Sequence, residues 1–173
     1  MRETTQGPLK EIYLAGGCFW GVEKAISQLN GVVSTECGYA NGDEHFVPDY
    51  MLVCSGKYGY AETVKVIYDS DQLSVSKMLK AFFMIADPTA LYKQGNDVGI
   101  QYRTGIYWTD DDTGKEVRRI VAIVSNIFPA FYTEAMPLKN YTVAEENHQK
   151  YLDKNPDGYC HIPFSIMDAI KEL

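Results

Sequence analysis

The hexapeptide Gly16-Gly17-Cys18-Phe19-Trp20-Gly21 sets a thiol between a glycine pair and an aromatic pair. If a strand ends at the glycines and a helix starts after them, Cys18 sits at the first helical turn. Unpaired backbone N–H groups and the positive end of the helix dipole gather there and favour thiolate over thiol, which makes Cys18 a candidate nucleophile. Glycines let backbone approach a ligand closely, and Phe19 and Trp20 can wall an apolar pocket beside the sulfur. The same residues also fit a plain turn with Cys18, Phe19 and Trp20 as core, since cysteine is among the most buried residue types. Of the other thiols, Cys37 and Cys54 fall in or beside predicted strands, where most cysteines are inert. The four cysteines form no C-x-x-C pair, so no metal is expected. His148 and His161, the second adjacent to Cys160, could tune a thiol, although lone histidines more often pack.

The elements that must position these residues follow from periodicity. Residues 11–15 alternate and meet Gly16-Gly17, a short strand ending in a tight turn. Residues 20–29 then fit a helix stopped at Asn30-Gly31, and 32–39 a second strand. Residues 40–49 read as loop, 51–54 as a short extended piece, and the β-branched run 61–68 as a third strand. Ser74 caps a helix through Ile85, ended by Asp87-Pro88. Residues 91–102 are polar and glycine-containing, and a strand at 104–108, a helix at 111–126 and a strand at 131–136 follow. A last helix over 144–154 closes at Asn155-Pro156-Asp157-Gly158. This order predicts an α+β two-layer sandwich, with a mixed, largely antiparallel sheet around a ferredoxin-like β-α-β-β-α-β core.

At 173 residues the chain suits one domain, 1–173, with 155–173 as a C-terminal tail. Its 46% hydrophobic and 23% charged residues exclude disorder, collagen and coiled coil, whereas 13 tyrosines exceed what folding requires. A net charge of −7 argues against a nucleic-acid partner. The first ten residues carry no apolar targeting segment and no run reaches membrane-spanning length, so a cytoplasmic protein without a membrane partner is expected. There, standing disulfides are rare and thiols tend to be chemical.

The hexapeptide resembles the active-site motif of the A-type peptide methionine sulfoxide reductases, which reduce the S epimer of methionine sulfoxide. The likeness continues through Val53-Cys54-Ser55-Gly56, Gly59-Tyr60-Ala61-Glu62, Asp87-Pro88-Thr89 and the stretch from Gly95 to Arg103. Ala144 to Leu152 and Lys154 to Cys160 complete it, so it covers most of Glu11 to Cys160 in order.

A sulfoxide sulfur becomes a good electrophile only as its oxygen is protonated, so a thiolate attacker needs a nearby acid. The resemblance implies that Glu62 is that acid, kept protonated by an apolar wall; alone it would read as a solvated strand residue. It implies that Tyr50 and Tyr102 hydrogen-bond the sulfoxide oxygen, that Asp97 supports the network, and that Gly17, Phe19 and Trp20 bind substrate. It further implies that Cys18 becomes a sulfenic acid, that Cys160 on a mobile tail resolves it to a disulfide, and that thioredoxin or a similar dithiol donor re-reduces the pair. The substrate would be methionine S-sulfoxide, free or in proteins under repair, with no cofactor and a monomeric enzyme. The chain departs from the family pattern at Tyr60 and Ala86, both usually His, at Tyr92-Lys93, usually Asn-Arg, at Ile100, usually Thr, and at Asn147, usually aromatic. Two rivals remain: a thiol peroxidase using the same cysteines, and a non-catalytic binder of oxidised-methionine peptides.

Overall fold

The alternating runs become the sheet. In the computed structural model, which describes residues 7–173, the chain order begins β1 (Leu9–Gly16), α1 (Phe19–Ser27), β2 (Val32–Ala40), α2 (Tyr50–Cys54), β3 (Ala61–Asp69) and α3 (Val75–Ile85). It continues with β4 (Lys93–Gln94), β5 (Asp97–Val98), β6 (Thr104–Trp108), α4 (Asp111–Ser125), β7 (Glu134–Pro137), β8 (Tyr141–Val143), α5 (Tyr151–Lys154) and α6 (Phe164–Lys171). Residues 1–6, part of the stretch read above for targeting signals, lie outside the described residues. The main sheet runs β7-β6-β1-β3-β2-β8. All its pairings are antiparallel except β6 with β7. Its inner four strands, with α1 and α3, form the expected ferredoxin-like core.

Alternation also sorts the two faces. Ile12 and Leu14 of β1, Val64 and Val66 of β3 and Cys37 and Tyr39 of β2 form one core with Val22 and Ile26 of α1 and Leu79 and Phe82 of α3. Tyr13, Ala15, Ala61 and Tyr107 point to the opposite face, where Met136 and Tyr141 cover them. Capping sets the helix starts: Ser74 Oγ accepts from Lys77 N–H at 3.1 Å and Asp110 Oδ2 from Thr113 N–H at 3.0 Å. Among the described residues no helix is long and apolar enough to cross a membrane.

Five local expectations are corrected. Residues 51–54 are helical, because Asp49 Oδ1 accepts from Leu52 N–H at 2.8 Å and caps α2. Within 91–102, β4 and β5 pair as a small hairpin followed by a 3-10 turn, Ile100–Tyr102. The strand expected over 131–136 begins only at Glu134, since Tyr132 N–H is held by Pro88 O at 2.7 Å. No continuous helix spans 144–154: Gln149 bonds the backbone of Cys37 through Oε1 at 2.8 Å and Nε2 at 2.9 Å. Lys150, in left-handed conformation at φ 50, then donates its N–H to Glu23 Oε1 at 2.6 Å. These long-range bonds outcompete helical ones and leave a 3-10 turn, Glu146–His148, before α5. Finally, the tail expected to be mobile folds into α6, which buries Met167 and Ile170 in the main core.

Candidate active site

The turn between β1 and α1 requires glycine. Gly17 has φ +93, and a Cβ there would lie 2.7 Å from Gln94 Cβ. Gly17 shapes the turn rather than lining the cavity beside it, and Cys18 follows as the N-cap residue of α1. Phe19 N–H donates to Glu62 Oε1 at 3.1 Å, and the N–H groups of Trp20 and Gly21 turn to the Cys18 sulfur. Sheet register makes this possible. The β1–β3 pairing reaches Leu14 opposite Val64, so Glu62, two residues farther, is level with the handover from β1 to α1.

Electrostatics then decide protonation. Glu62 is 2% exposed, and burial raises its carboxyl to about 8, the Phe19 amide pulling down and the Asp97 charge pushing up. Cys18 is 8% exposed, and burial lifts its thiol well above the ordinary range, with the Glu62 charge adding to the rise. The Trp20 and Gly21 amides offset this only in part, so the expectation of a standing thiolate is corrected: the resting group is a thiol. Tyr50 and Tyr102 are raised mainly by burial, so both phenols keep their protons and can donate.

These groups meet in one cavity of about 110 Å³. Cys18, Phe19, Trp20, Tyr50, Glu62, Asp97 and Tyr102 line it. Tyr159, which the sequence did not single out, joins them, donating its hydroxyl to Asp97 Oδ2 at 3.2 Å. The space suits the end of one side chain rather than a cofactor. A larger hollow of about 520 Å³ by Leu9, Lys10 and Asp110 has no cysteine, so the small cavity, where the chemistry converges, is the candidate site. Trp20 is fixed by stacking on Tyr151, ring centres 3.7 Å apart, and by donating Nε1–H to His148 Nδ1 at 3.1 Å. His148, pushed down by burial, packs against Phe19 and Tyr50 as well. The sequence offered His148 only as a group that could tune a thiol and gave Tyr151 no distinguishing mark, because both act on Trp20, far off in sequence.

Cys160 is half-buried against the same helix. A Cβ at Gly21 would lie 3.2 Å from its sulfur, and Gly21 is one helical turn beyond Cys18 on the same side. Both thiols are free. Cys37 is core, its thiol turned to Glu23, whereas Cys54 is exposed at the end of α2. Among the described residues no group of three His, Cys, Asp or Glu side chains could hold a metal ion. The two nearby departures have local accounts. The Tyr60 hydroxyl donates to the carbonyls of Asp43 and Phe46, both at 2.8 Å, and clamps that loop. Ala86 is buried against Gly16.

The chain is similar to proteins already known. A peptide methionine sulfoxide reductase MsrA from Clostridium perfringens is 51% identical over 155 residues, covering 89% of this chain and 98% of that one. Among solved structures, reduced Mxr1 from Saccharomyces cerevisiae is 37% identical with a TM-score of 0.83, covering 91% of this chain and 93% of that chain. Mxr1 in complex with Trx2, aligned at 24% identity, shares the fold at a TM-score of 0.58 over 86% of this chain and 91% of that one. The family profile of peptide methionine sulfoxide reductase matches residues 10–172, and the chain, which carries a cysteine, a protonated carboxyl and phenol donors in one aromatic cavity, belongs to that family.

Proposed function

We propose that this member of the family reduces the S epimer of methionine sulfoxide with Cys18 as nucleophile and Glu62 as acid. The observation that carries this is the shared helix start, where Glu62 accepts the Phe19 amide beside the Cys18 sulfur. The substrate's methyl group sits against Phe19 and Trp20, and its oxygen takes hydrogen bonds from Tyr50, Tyr102 and the Glu62 proton. As the sulfur of Cys18 attacks, the Glu62 proton passes to the oxygen and the thiol proton replaces it on Glu62. Charge growing on the attacking sulfur is met by the Trp20 and Gly21 amides. The methionine thioether leaves, and Cys18 holds the hydroxyl as a sulfenic acid. Asp97 keeps Tyr159 in place beside the cavity.

Cys160 then forms a disulfide with Cys18, expelling water, and a dithiol donor of the thioredoxin class reduces it. The Mxr1 complex with Trx2 supports that class of donor. An aromatic cavity beside the thiol does not favour a peroxidase, since a peroxide needs no apolar grip, and the raised acid does not favour a mere binder. The test is an epimer-resolved assay of the reduced protein: the S epimer is converted, the R epimer is not, and C18S abolishes turnover. Unchanged turnover in C18S would sink the mechanism. C160S is expected to release one methionine per chain and then stop under thioredoxin recycling.

A further inference from the structure

The disulfide step has a proton to remove. Burial pushes the Cys160 thiol up, and in the resting chain its hydrogen points to Ile162 O at 3.5 Å. The next residue offers an acceptor. His161 Nε2 lies 3.1 Å from Gly16 O, and since a carbonyl only accepts, Nε2 carries the hydrogen and Nδ1 keeps its lone pair. Nδ1 is buried without a hydrogen-bond partner, an arrangement that asks for an explanation.

Two glycines lay the imidazole along the reactive turn. A Cβ at Gly17 would sit 3.1 Å from Nε2, and one at Gly21 would sit 3.2 Å from Cε1, the carbon bonded to Nδ1. That same Gly21 position is 3.2 Å from Cys160 Sγ. The thiol and the ring carbon between the two nitrogens therefore both approach Gly21, a single helical turn from Cys18. To reach Cys18 the sulfur must leave the Ile162 carbonyl.

We propose that His161 is the general base of the disulfide step, docking the resolving segment on Gly16 through Nε2–H and taking the Cys160 proton on Nδ1. The inference rests on Cys160 as resolving thiol. As the S–S bond forms, the S–O bond of the Cys18 sulfenic acid breaks. The sulfenic sulfur is reduced, the thiol sulfur oxidised, and the proton held on Nδ1 passes to the departing hydroxide to give water. Burial pushes His161 down, so the ring is neutral near pH 7, while the Gly16 carbonyl and Asp97 pull in the other direction. Asp97 of the β4–β5 hairpin is the charged group acting on the ring; Gln94 of that hairpin and the glycines of the turn are neutral, and Cys160 is its titratable neighbour.

H161Q separates docking from base, because its amide can still donate to Gly16 but cannot take up a proton. Reduced protein is mixed with one equivalent of methionine S-sulfoxide, and methionine release, sulfenic acid captured by a cyclic 1,3-diketone, and mapped disulfide are followed in time. The size of the methionine burst reports the folded fraction. In H161Q disulfide formation is expected to slow about 10-fold or more at pH 7, with the sulfenic acid persisting. The loss of rate expected of wild type at acid pH, as His161 is protonated, should be absent in H161Q. A wild-type disulfide rate with a wild-type pH profile in H161Q overturns the base. Absence of a Cys18–Cys160 disulfide in wild type overturns the resolving role of Cys160 and this inference with it.

Discussion

A carboxyl that titrates near 8 and a thiol pushed above its usual range are held at one helix start, and their pH behaviour follows. In the proposed mechanism the protonated form of Glu62 gives its proton to the sulfoxide oxygen, so the first-turnover rate is expected to fall above about pH 8. In E62Q it should be slower throughout, by about 100-fold, and lack that alkaline limb. Single-turnover methionine release across pH checks both. Stability has the same sign. The folded carboxyl is raised from 4.5, so its contribution is complete below that value and is lost as pH rises through about 8. Urea midpoints of wild type should therefore drop more between pH 6 and 9 than those of E62Q. The spacing around Cys18 marked it as a candidate nucleophile but fitted a core residue equally well, and Glu62, Tyr50 and Tyr102 stood out only through the family's pattern. The state of Cys18 was not legible, because local sequence shows the helix-start amides but not the burial that outweighs them. Tyr159 was hidden because its partner, Asp97, lies far away in the chain.

At the level of elements, Glu23 of α1 is the joint that binds three segments. It is buried, and its oxygens accept from Thr35 Oγ1 at 3.0 Å, Cys37 Sγ at 3.4 Å and Lys150 N–H at 2.6 Å. Removing the carboxylate leaves those donors unpaired, so E23A is expected to lose about 2–4 kcal/mol, measured by urea unfolding. It should also loosen His148 and Tyr151, which frame Trp20, and so raise KM for the sulfoxide. Strands with strict alternation, and the helix capped by Ser74, declared themselves because their cause is local. The 144–154 segment did not, because Gln149 substitutes for a neighbouring strand along β2 and Lys150 turns back to α1. No periodicity within the segment records those partners.

On the scale of the whole molecule, the C-terminal segment belongs to the main core. Ile170 is fully buried with α1 and α3 residues, and I170A is expected to cost about 2–4 kcal/mol by leaving a cavity there. Because the same segment carries Cys160, I170A should also slow disulfide formation while leaving a full methionine burst, checked by thiol titration after one turnover. The order β6-β1-β3-β2 has a further effect on the life of the newly made chain. Tyr13 pairs with Tyr107, and Leu14 with Val64, so β1 waits for strands made much later before its end is fixed. Until β3 docks there is no Glu62 carboxyl beside Cys18, and until residue 160 is made the proposed resolving thiol is missing. An emerging chain thus carries an ordinary, unaided cysteine, and the proposed pair is assembled only once the segment from Cys160 through α6 has been made and packed.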